Sequence, residues 1–506
     1  MKKTIVIVMI LTLFSKSIGF IRDIILAYFY GASAISDVFI IAIVIPTIIF
    51  GVIGAGISSS YIPILSSIEN KYGLKEGEKF TNGIINLLLA FSMFVFVFSI
   101  LFTEPLVKLF ASGFEGDTLK LAVSFLRITI ITMFFTGLIY LFSGYLQLKD
   151  HHVVPGIMGL PLNIVLIFTI FLSSTYSIYL LPVGQVLATL LQFSLLFYFV
   201  CKTGFKFKPH LGLRNKHIKK VTVLAVPVMF GSSFEQMNNL IDRTLASQVA
   251  EGGISALNYA SQLNMFVQGV FVTSIGVVFY PVISRLAAQG KMENLRRTVS
   301  QTMILIMVLI LPITIGTLLF SKQIIELLFG RGAFTLNAIT MTSSALFYYS
   351  FGMVAIGLRM VLTRTFFSLQ DTRTPMINSI WAVLMNIILN ITLSKYMGLS
   401  GLALATSMSA SFCTLLLFRS LVKKIGFFEL RKLINTFTKV AFVSVLMGIF
   451  SKAIFHWLHS NLNANMSLLL TIFLSIICYT VLIYYIRIKE IDEFFIDIKR
   501  RVKLAS

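Results

Sequence analysis

The chain alternates long apolar segments with short polar ones along its whole length. About fourteen of the apolar segments reach the roughly 20 residues that an α-helix needs to cross a bilayer. They lie at about 4–29, 36–61, 80–103, 121–148, 155–174, 178–201, 219–248, 254–284, 298–320, 337–368, 375–394, 399–422, 434–457 and 465–486. Since the hydrocarbon core offers the backbone no hydrogen-bond partner, each segment has to be helical. The pattern predicts an all-α polytopic membrane protein with about 14 transmembrane helices.

Composition supports this class. The chain is 57% hydrophobic and 12% charged, with a mean hydropathy of +0.91, which no soluble globular protein of this length shows. An outer-membrane barrel is excluded because its strands are about ten residues long and alternate in polarity. The basic, then apolar, N-terminus resembles a secretory signal, but no small-residue cleavage site follows it, so we expect it to remain as the first span.

The net charge of +22 is concentrated in loops on one side of the predicted spans. About 29 of the 42 Lys and Arg residues lie on the side of the N-terminus, about 5 on the other side and about 8 within spans. By the positive-inside rule, both termini are cytoplasmic, because the number of spans is even. Attraction to anionic membrane lipids accounts for these loops, and we expect no nucleic-acid partner.

An internal repeat relates the two halves with an offset of about 220 residues. Ile21–Asp23 matches Ile241–Arg243, and Tyr61–Ser66 matches Phe279–Ser284. Each half holds six spans, so the halves share one orientation and would enclose a central cavity.

This repeat divides the chain into three parts. We expect a six-helix N-terminal lobe at 1–202, a six-helix C-terminal lobe at 203–424, and two additional helices with a basic cytoplasmic tail at 425–506.

Four ionisable side chains lie in or beside the first spans: Lys16, Arg22, Asp23 and Asp37. An ionised group there costs several kcal/mol unless it faces protein or a wet cavity. Lys16 and Asp23 share a helical face, whereas Arg22 lies about 100° from Asp23. Lysine and the planar guanidinium of arginine both suit an anionic head group. The alternative is that Arg22 pairs with Asp23 or Asp37 and holds two spans together.

The second half repeats this pattern with Asp242 and Arg243. Asp242 has candidate companions in Asn386, Asn390 and Thr406, and we call these four residues the cation cluster. Hard oxygen donors suit Na⁺ or a proton as a coupling ion. The alternative is a hydrogen-bond cluster between helices.

No catalytic motif accompanies these residues. The sequence lacks a P-loop, an HExxH motif and a nucleophile elbow, and its three cysteines show no CxxC spacing. We therefore expect a protein that is not an enzyme and has no cofactor beyond Na⁺ or H⁺. Transport, if coupled, would draw on an ion gradient or the membrane potential. Arg359 lies deep enough in its span for a cavity role.

Seven stretches together resemble one known family. They are SKSIGFIRDIILAYFYG (15–31), IPTIIF (45–50), YIPILS (61–66), DRTLAS (242–247), ISALNYASQLN (254–264), YPVISRLAA (280–288) and FFSLQDTRTP (366–375). The chain resembles the MurJ/MviN lipid II flippases, which belong to the multidrug/oligosaccharidyl-lipid/polysaccharide exporter superfamily. The resemblance covers the whole chain, and Gln370–Pro375 is a specific motif.

This resemblance implies two six-helix lobes around a cationic cavity, with the two extra helices forming a groove for a polyprenyl tail. It also implies transport of lipid II, the undecaprenyl-diphosphate-linked peptidoglycan precursor, from the inner to the outer leaflet of the bacterial cytoplasmic membrane by alternating access. Membrane lipids and the cell-wall synthesis machinery are expected partners.

The resemblance also assigns residues. Arg22 and Asp23 match residues of the family's central cavity, Lys16 takes the place of a usual arginine, and Asp37 matches a family aspartate. The cation cluster lies where some members bind Na⁺, with Asn390 in place of a carboxylate.

The sequence departs from the family at Gln262, where many members have an arginine that contacts the diphosphate. Arg243 or Arg359 would compensate for the missing charge. The departure leaves two alternatives open: a flippase for another undecaprenyl-linked saccharide, or a cation-coupled drug exporter of the same superfamily. The pair Lys16 and Arg22 argues against the exporter, which would favour acidic residues.

Overall fold

The computed structural model describes residues 2–208, 216–426 and 430–486, and all regular structure within these ranges is helical. The α-helices are α1 (Lys2–Tyr30), α2 (Ala34–Tyr72), α3 (Leu74–Leu101), α4 (Thr103–Phe110), α5 (Gly116–Thr129), α6 (Thr132–Leu148), α7 (Val153–Ile157), α8 (Gly159–Thr175), α9 (Leu180–Lys202), α10 (Lys216–Val249), α11 (Gly253–Val267), α12 (Thr273–Ala288), α13 (Met292–Phe329), α14 (Leu336–Ser350), α15 (Met353–Ser368), α16 (Arg373–Met397), α17 (Leu399–Ile425), α18 (Leu430–His459) and α19 (Ala464–Ile486). A π-helical turn, Gln268–Val272, joins α11 to α12. The predicted all-α class is confirmed.

Among the described helices, ten are long and apolar enough to cross a membrane, and up to twelve spans result when each of two bent pairs counts as one. The remaining two predicted segments correspond to α1 and α10, which are 29 and 34 residues long. Each predicted apolar segment therefore coincides with one helix or with consecutive helices joined at a break.

The two halves share their irregular features as well as their helices. The pairs α5–α6 and α14–α15 are each bent by 47°. Asp150 and Gln370, about 220 residues apart, both have left-handed backbones, with φ of 62° and 59°. Residues other than glycine rarely adopt this conformation. Its recurrence at equivalent turns supports the repeat read from the sequence.

The described residues of 2–255, together with 331–335, form one compact unit. Within it, α2 packs against α6 and α10, and α8 packs against α1 and α9. The core contains Tyr61, whose ring stacks on Phe80 with centroids 5.8 Å apart and whose hydroxyl lies 2.9 Å from Thr81 Oγ1. The buried phenol thus satisfies its polar end while its ring fills the core.

The described residues of 256–330 and 336–486 form the second unit. Here α13 packs against α14, α15 and α18, and α16 packs against α17. Tyr479 Oη in α19 donates to Val308 O in α13 at 2.6 Å, and Ser451 and Ser475 link α18 to α19 with 2.6 Å between hydroxyls. The two additional helices are therefore bonded into this unit. The three-part division at 202 and 424 stays a prediction.

Candidate functional site

α1 carries an ion pair on its buried side. Arg22 Nη2 lies 2.7 Å from Asp23 Oδ1, and Arg22 Nε donates to the same oxygen at 3.1 Å. The two side chains are 23% and 6% exposed. Pairing lets one span hold two ionised groups that would each be costly alone. Of the two pairings left open by the sequence, the structure contains the one with Asp23.

α8 supplies a third contact through Asn163, which sequence reasoning missed. Its Oδ1 accepts from Arg22 Nη1 at 3.1 Å, and its Nδ2 donates to Ser15 O at 3.4 Å. Gly159 lets α8 approach α1 closely, because any side chain there would clash: an added Cβ would lie 2.2 Å from Ser15 Oγ. The available signal was a lone asparagine in an apolar span. Since a guanidinium has five N–H groups, Arg22 retains two for a ligand after these three bonds.

Lys16 lies two turns before Asp23 on α1, and it is exposed. Within the described part of the chain, no hydrogen bond or ion pair to its ammonium is present. Lys16 is therefore an exposed point charge, whereas Arg22 is a guanidinium held by two neighbours.

Asp37 lies apart from the Arg22 pair, at the start of α2. It is 1% exposed, and its Oδ1 accepts the backbone N–H of Ser255 at 2.7 Å. Ser255 is in the first turn of α11, where backbone N–H groups lack partners within the helix and a carboxylate is favourable. Asp37 thus joins two helix starts, and its assignment to substrate binding stays a prediction.

The second-half residues are distributed over both units. Asp242 and Arg243 are adjacent in α10 of the first unit, and both are partly buried. In the second unit, Asn386 and Asn390 of α16 are 1% and 0% exposed, and Asn390 Nδ2 donates to Asn386 Oδ1 at 2.6 Å. Thr406 of α17 is partly buried and donates to the backbone of its own helix.

These contacts bear on the predicted Na⁺ site. The oxygen donors of the cation cluster have the chemistry that Na⁺ prefers. Among the described residues, no group of three or more His, Cys, Asp or Glu side chains is placed to hold a metal ion. The bond between the two asparagines lies within one helix, so it decides neither for the ion site nor for a hydrogen-bond cluster between helices, and the four-residue site stays a prediction.

Two further candidates for substrate contact lie in the second unit. Gln262 is on α11 and Arg359 is on α15, and both are partly buried. The neighbouring Arg364 donates to Gly276 O at 2.6 Å and lies 5.8 Å from the ring centre of Tyr280. Arg364 is therefore bonded to α12. Arg359 is then the arginine of α15 that we consider for substrate binding.

A cavity of about 360 Å³ lies between α13 and α18. Aliphatic side chains such as Leu318, Leu319 and Ile449 line it, together with Lys452. Gly448 allows α13 and α18 to pack closely beside this cavity, since an added Cβ would lie 2.8 Å from Leu319 Cδ1. An apolar space of this kind suits a hydrocarbon chain.

The specific motif Gln370–Pro375 forms the turn between α15 and α16. Asp371 accepts from the N–H of Thr374 at 3.0 Å and from its hydroxyl at 2.8 Å, and it pairs with Lys424 of α17. Partial burial raises the pKa of Asp371, but the bonds from Lys424 and Thr374 outweigh it and lower the pKa to about 2. The motif therefore caps α16 and ties it to α17.

Comparison with known proteins gives a consistent result. The family model described as "Lipid II flippase MurJ" matches residues 26–474. A relative from Vibrio cholerae, described as "Probable lipid II flippase MurJ", is 29% identical over 83% of this chain and 82% of its own length. Relatives with the same description from Buchnera aphidicola subsp. Baizongia pistaciae and Thermotoga maritima are 28% and 26% identical, over 88% and 95% of this chain and 89% and 96% of their own.

Solved structures agree with the fold. "Lipid II flippase MurJ, inward closed conformation" matches with a TM-score of 0.84 and 26% identity over 96% of this chain and 100% of that chain. An inward-facing multidrug resistance MATE family transporter of the MOP superfamily matches with a TM-score of 0.67 over 82% of this chain and 94% of that chain. At 13% identity, this second likeness shows the fold alone.

Proposed function

The chain belongs to the MurJ lipid II flippase family, and we propose that it carries lipid II from the inner to the outer leaflet of the cytoplasmic membrane. The family match over residues 26–474 is the observation that carries this proposal. The chain is an integral membrane protein, and its work is transport; we propose that it catalyses no covalent step. Alternating access is the mechanism that a fold of two six-helix halves supports.

We propose that the diphosphate of lipid II is bound by Arg22 and Lys16. Arg22 is oriented by Asp23 and Asn163, and it keeps two N–H groups that match phosphate oxygens. Lys16 adds a point charge that adjusts to the ligand. Asp23 would then act as a positioning group that holds the guanidinium before substrate arrives, which lowers the ordering cost of binding.

Further contacts come from the other half of the repeat. We propose Arg243 and Arg359 as additional cations for the diphosphate or the sugar, and Gln262 as a neutral donor. A neutral amide forms a weaker bond to phosphate than an arginine does, since charge-assisted bonds are roughly twice as strong. This chain would therefore rely more on Arg22 than its relatives do.

The energy source belongs to the same proposal. We propose that Na⁺ or H⁺ binds at the cation cluster and biases the equilibrium between inward- and outward-open states. A ligand shifts such an equilibrium only by its differential affinity for the two states. Asp242 is the one ionisable member of the cluster, and it is the residue whose charge the ion would balance.

Orientation and partners complete the proposal. We place both termini in the cytoplasm, from the basic loops, and the polyprenyl tail in the apolar cavity between α13 and α18. Membrane lipids surround the exposed helices, and the cell-wall synthesis machinery would receive the transported precursor.

Complementation tests this function. In cells depleted of their own lipid II flippase, we expect the wild-type chain to restore growth and Arg22→Ala to fail at matched expression. Asp242→Ala then tests ion coupling separately. Failure of a well-expressed, membrane-inserted wild type would favour a flippase for another undecaprenyl-linked saccharide, which Gln262 keeps open.

A further inference from the structure

The break between α14 and α15 lies within a predicted span, and Tyr349 O beside it accepts the backbone N–H of Gly352 at 3.1 Å. Two side chains from the preceding helical segment reach backbone carbonyls beside the break. Asn264 Nδ2 donates to Tyr349 O at 3.5 Å, and Gln268 Nε2 donates to Met353 O at 2.8 Å. One carbonyl lies on each side of the break.

The spacing of these bonds forms a ladder. Asn264 in α11 and Gln268 in the π-helical turn are four residues apart, and so are Tyr349 near the end of α14 and Met353 at the start of α15. Both bonds join the same two helical segments and bracket the break. Such a pair fixes the direction of α15 as well as its distance from α11.

The orientation of both amides is determined by these contacts. Rotating either amide would place its oxygen against a backbone carbonyl oxygen, which repels it. As oriented, the side-chain oxygens Asn264 Oδ1 and Gln268 Oε1 are buried, and neither has a hydrogen-bond partner in the described part of the chain. A buried acceptor without a partner is unfavourable. These two amides therefore contribute only through their N–H bonds to the carbonyls beside the break.

α17 closes the opposite side of the break. Ser407 Oγ donates to Tyr348 O at 2.7 Å, and Thr414 Oγ1 donates to Ala355 O at 2.8 Å. The equivalent break between α5 and α6 is bonded by hydroxyl groups. Thr132 Oγ1 donates to Thr129 O within the same segment at 2.6 Å, and Ser92 Oγ of α3 donates to Met133 O at 3.5 Å. Among the described residues, carboxamide side chains from another segment bond to such a break only in the second half.

We propose that Asn264 and Gln268 are positioning residues that clamp the α14–α15 break and thereby place Arg359 relative to Gln262. Gln262 precedes the clamp on α11, and Arg359 follows it on α15. The proposal rests on the proposed function, since these two residues are candidates for substrate contact. A fixed bend would preorganise them and reduce the ordering cost of binding.

The test uses Gln268→Met, which keeps the shape of the side chain and removes its donor. We expect hydrogen exchange of the amides at 351–356 to accelerate at least tenfold and lipid II to bind the purified protein about tenfold more weakly. The thermal midpoint should stay close to that of the wild type. Gln185→Met is the matched control, because Gln185 bonds to Thr189 within α9, and it should change neither readout.

Gln268→Asn is a second variant in case the methionine fails to fold, since the shorter amide cannot span the distance to Met353 O. Unchanged exchange at 351–356, unchanged affinity, or acceleration spread over the whole second unit would each overturn the clamp. The exchange readout needs no substrate. A wild type that does not bind lipid II therefore contradicts the proposed function and leaves the clamp to be judged by exchange.

Discussion

Arg22 shows how a span accommodates an arginine without isolating its charge. Its neighbour Asp23 balances the charge, and Asn163 of α8 takes up a third N–H. The sequence identified Arg22 and Asp23 because ionised residues are rare within apolar runs. Asn163 was missed because which helix packs against α1 depends on tertiary contacts that no local pattern encodes. Its partner is 141 positions away.

The first prediction concerns the guanidinium fork. Arg22→Lys keeps the charge, but an ammonium cannot bond Asp23 and Asn163 together while binding a diphosphate. We expect the rate of lipid II translocation in proteoliposomes to fall about tenfold, equivalent to about 1.4 kcal/mol and one lost hydrogen bond. Lys120→Arg, at a side chain that is 81% exposed, is the control and should stay within about twofold. A wild-type rate for Arg22→Lys would show that transport does not require a guanidinium that bonds Asp23, Asn163 and the diphosphate together.

A second prediction concerns Asp371. Asp371→Ala removes both the first-turn acceptor of α16 and the pair with Lys424, and it should destabilise the protein by about 1–2 kcal/mol. Asp371→Asn keeps an acceptor for the N–H of Thr374 and loses only the charge, which we expect to cost about 0.5 kcal/mol. Thermal unfolding of the detergent-solubilised variants at neutral pH measures both.

The pH dependence of this difference has a definite sign. The pKa of Asp371 is lowered to about 2 in the fold, below its unfolded value of about 3.9. Its charge therefore stabilises the fold fully above pH 5, and this contribution disappears as the pH falls toward 2. The gap between wild type and Asp371→Asn should be constant from about pH 5 to 8 and shrink below about pH 4. A gap that widens in acid would contradict the pairing.

At the scale of elements, the apolar runs predicted where helices exist, and the structure adds where they bend. The apolar pattern predicts one span each at 121–148 and 337–368, with the length of 337–368 leaving room for a bend or turn, and each contains a 47° bend. Neither bend is marked by proline at the break. The bend at 350–353 is held by Asn264 and Gln268, which belong to another helical segment, so the apolar pattern of the bent segment could not reveal it.

Close helix contacts give the third prediction. Gly252 has φ of +76°, and a Cβ there would lie 2.3 Å from Ala32 O. Gly116 also has a left-handed backbone, with φ of +54°, but no atom lies within 4 Å of its added Cβ. Gly116→Ala should cost about 1 kcal/mol for its backbone alone. Gly252→Ala should cost about 3 kcal/mol, because the backbone of α11 or α2 must also move.

Thermal unfolding of the two variants separates the backbone contribution from the steric one. Equal midpoints for Gly252→Ala and Gly116→Ala would show that the close approach to Ala32 is not required. Because Asp37 bonds to Ser255 just beyond Gly252, the Gly252 variant should also weaken lipid II transport.

For the whole molecule, the orientation gives a fourth prediction. In a background without Cys201, Cys413 and Cys478, we expect a membrane-impermeant thiol reagent to label Asn461→Cys in intact cells. Lys75→Cys should be labelled only after the membrane is permeabilised. The reverse pattern would contradict an orientation derived from the distribution of Lys and Arg.

The sequence predicted the class of the molecule more completely than its site. Fourteen apolar segments, the repeat and the family motifs specify a membrane transporter, because a bilayer permits few architectures. The site depends on contacts between distant segments, and these decide which charges are paired. Asp37 illustrates this, since its carboxylate bonds to the start of α11, 218 positions away, while its assignment to substrate contact stays a prediction.

Translocation of lipid II in proteoliposomes is the most direct test of the proposed function. The purified wild-type chain and Arg22→Ala, reconstituted in equal amounts, are compared by the appearance of the lipid II head group on the opposite face of the bilayer. We expect rapid translocation by the wild type and a loss of about thirtyfold or more in Arg22→Ala, because the guanidinium proposed to bind the diphosphate is removed. Equal rates for the two proteins, or a wild type that moves only a different undecaprenyl-linked saccharide, would contradict the proposed function.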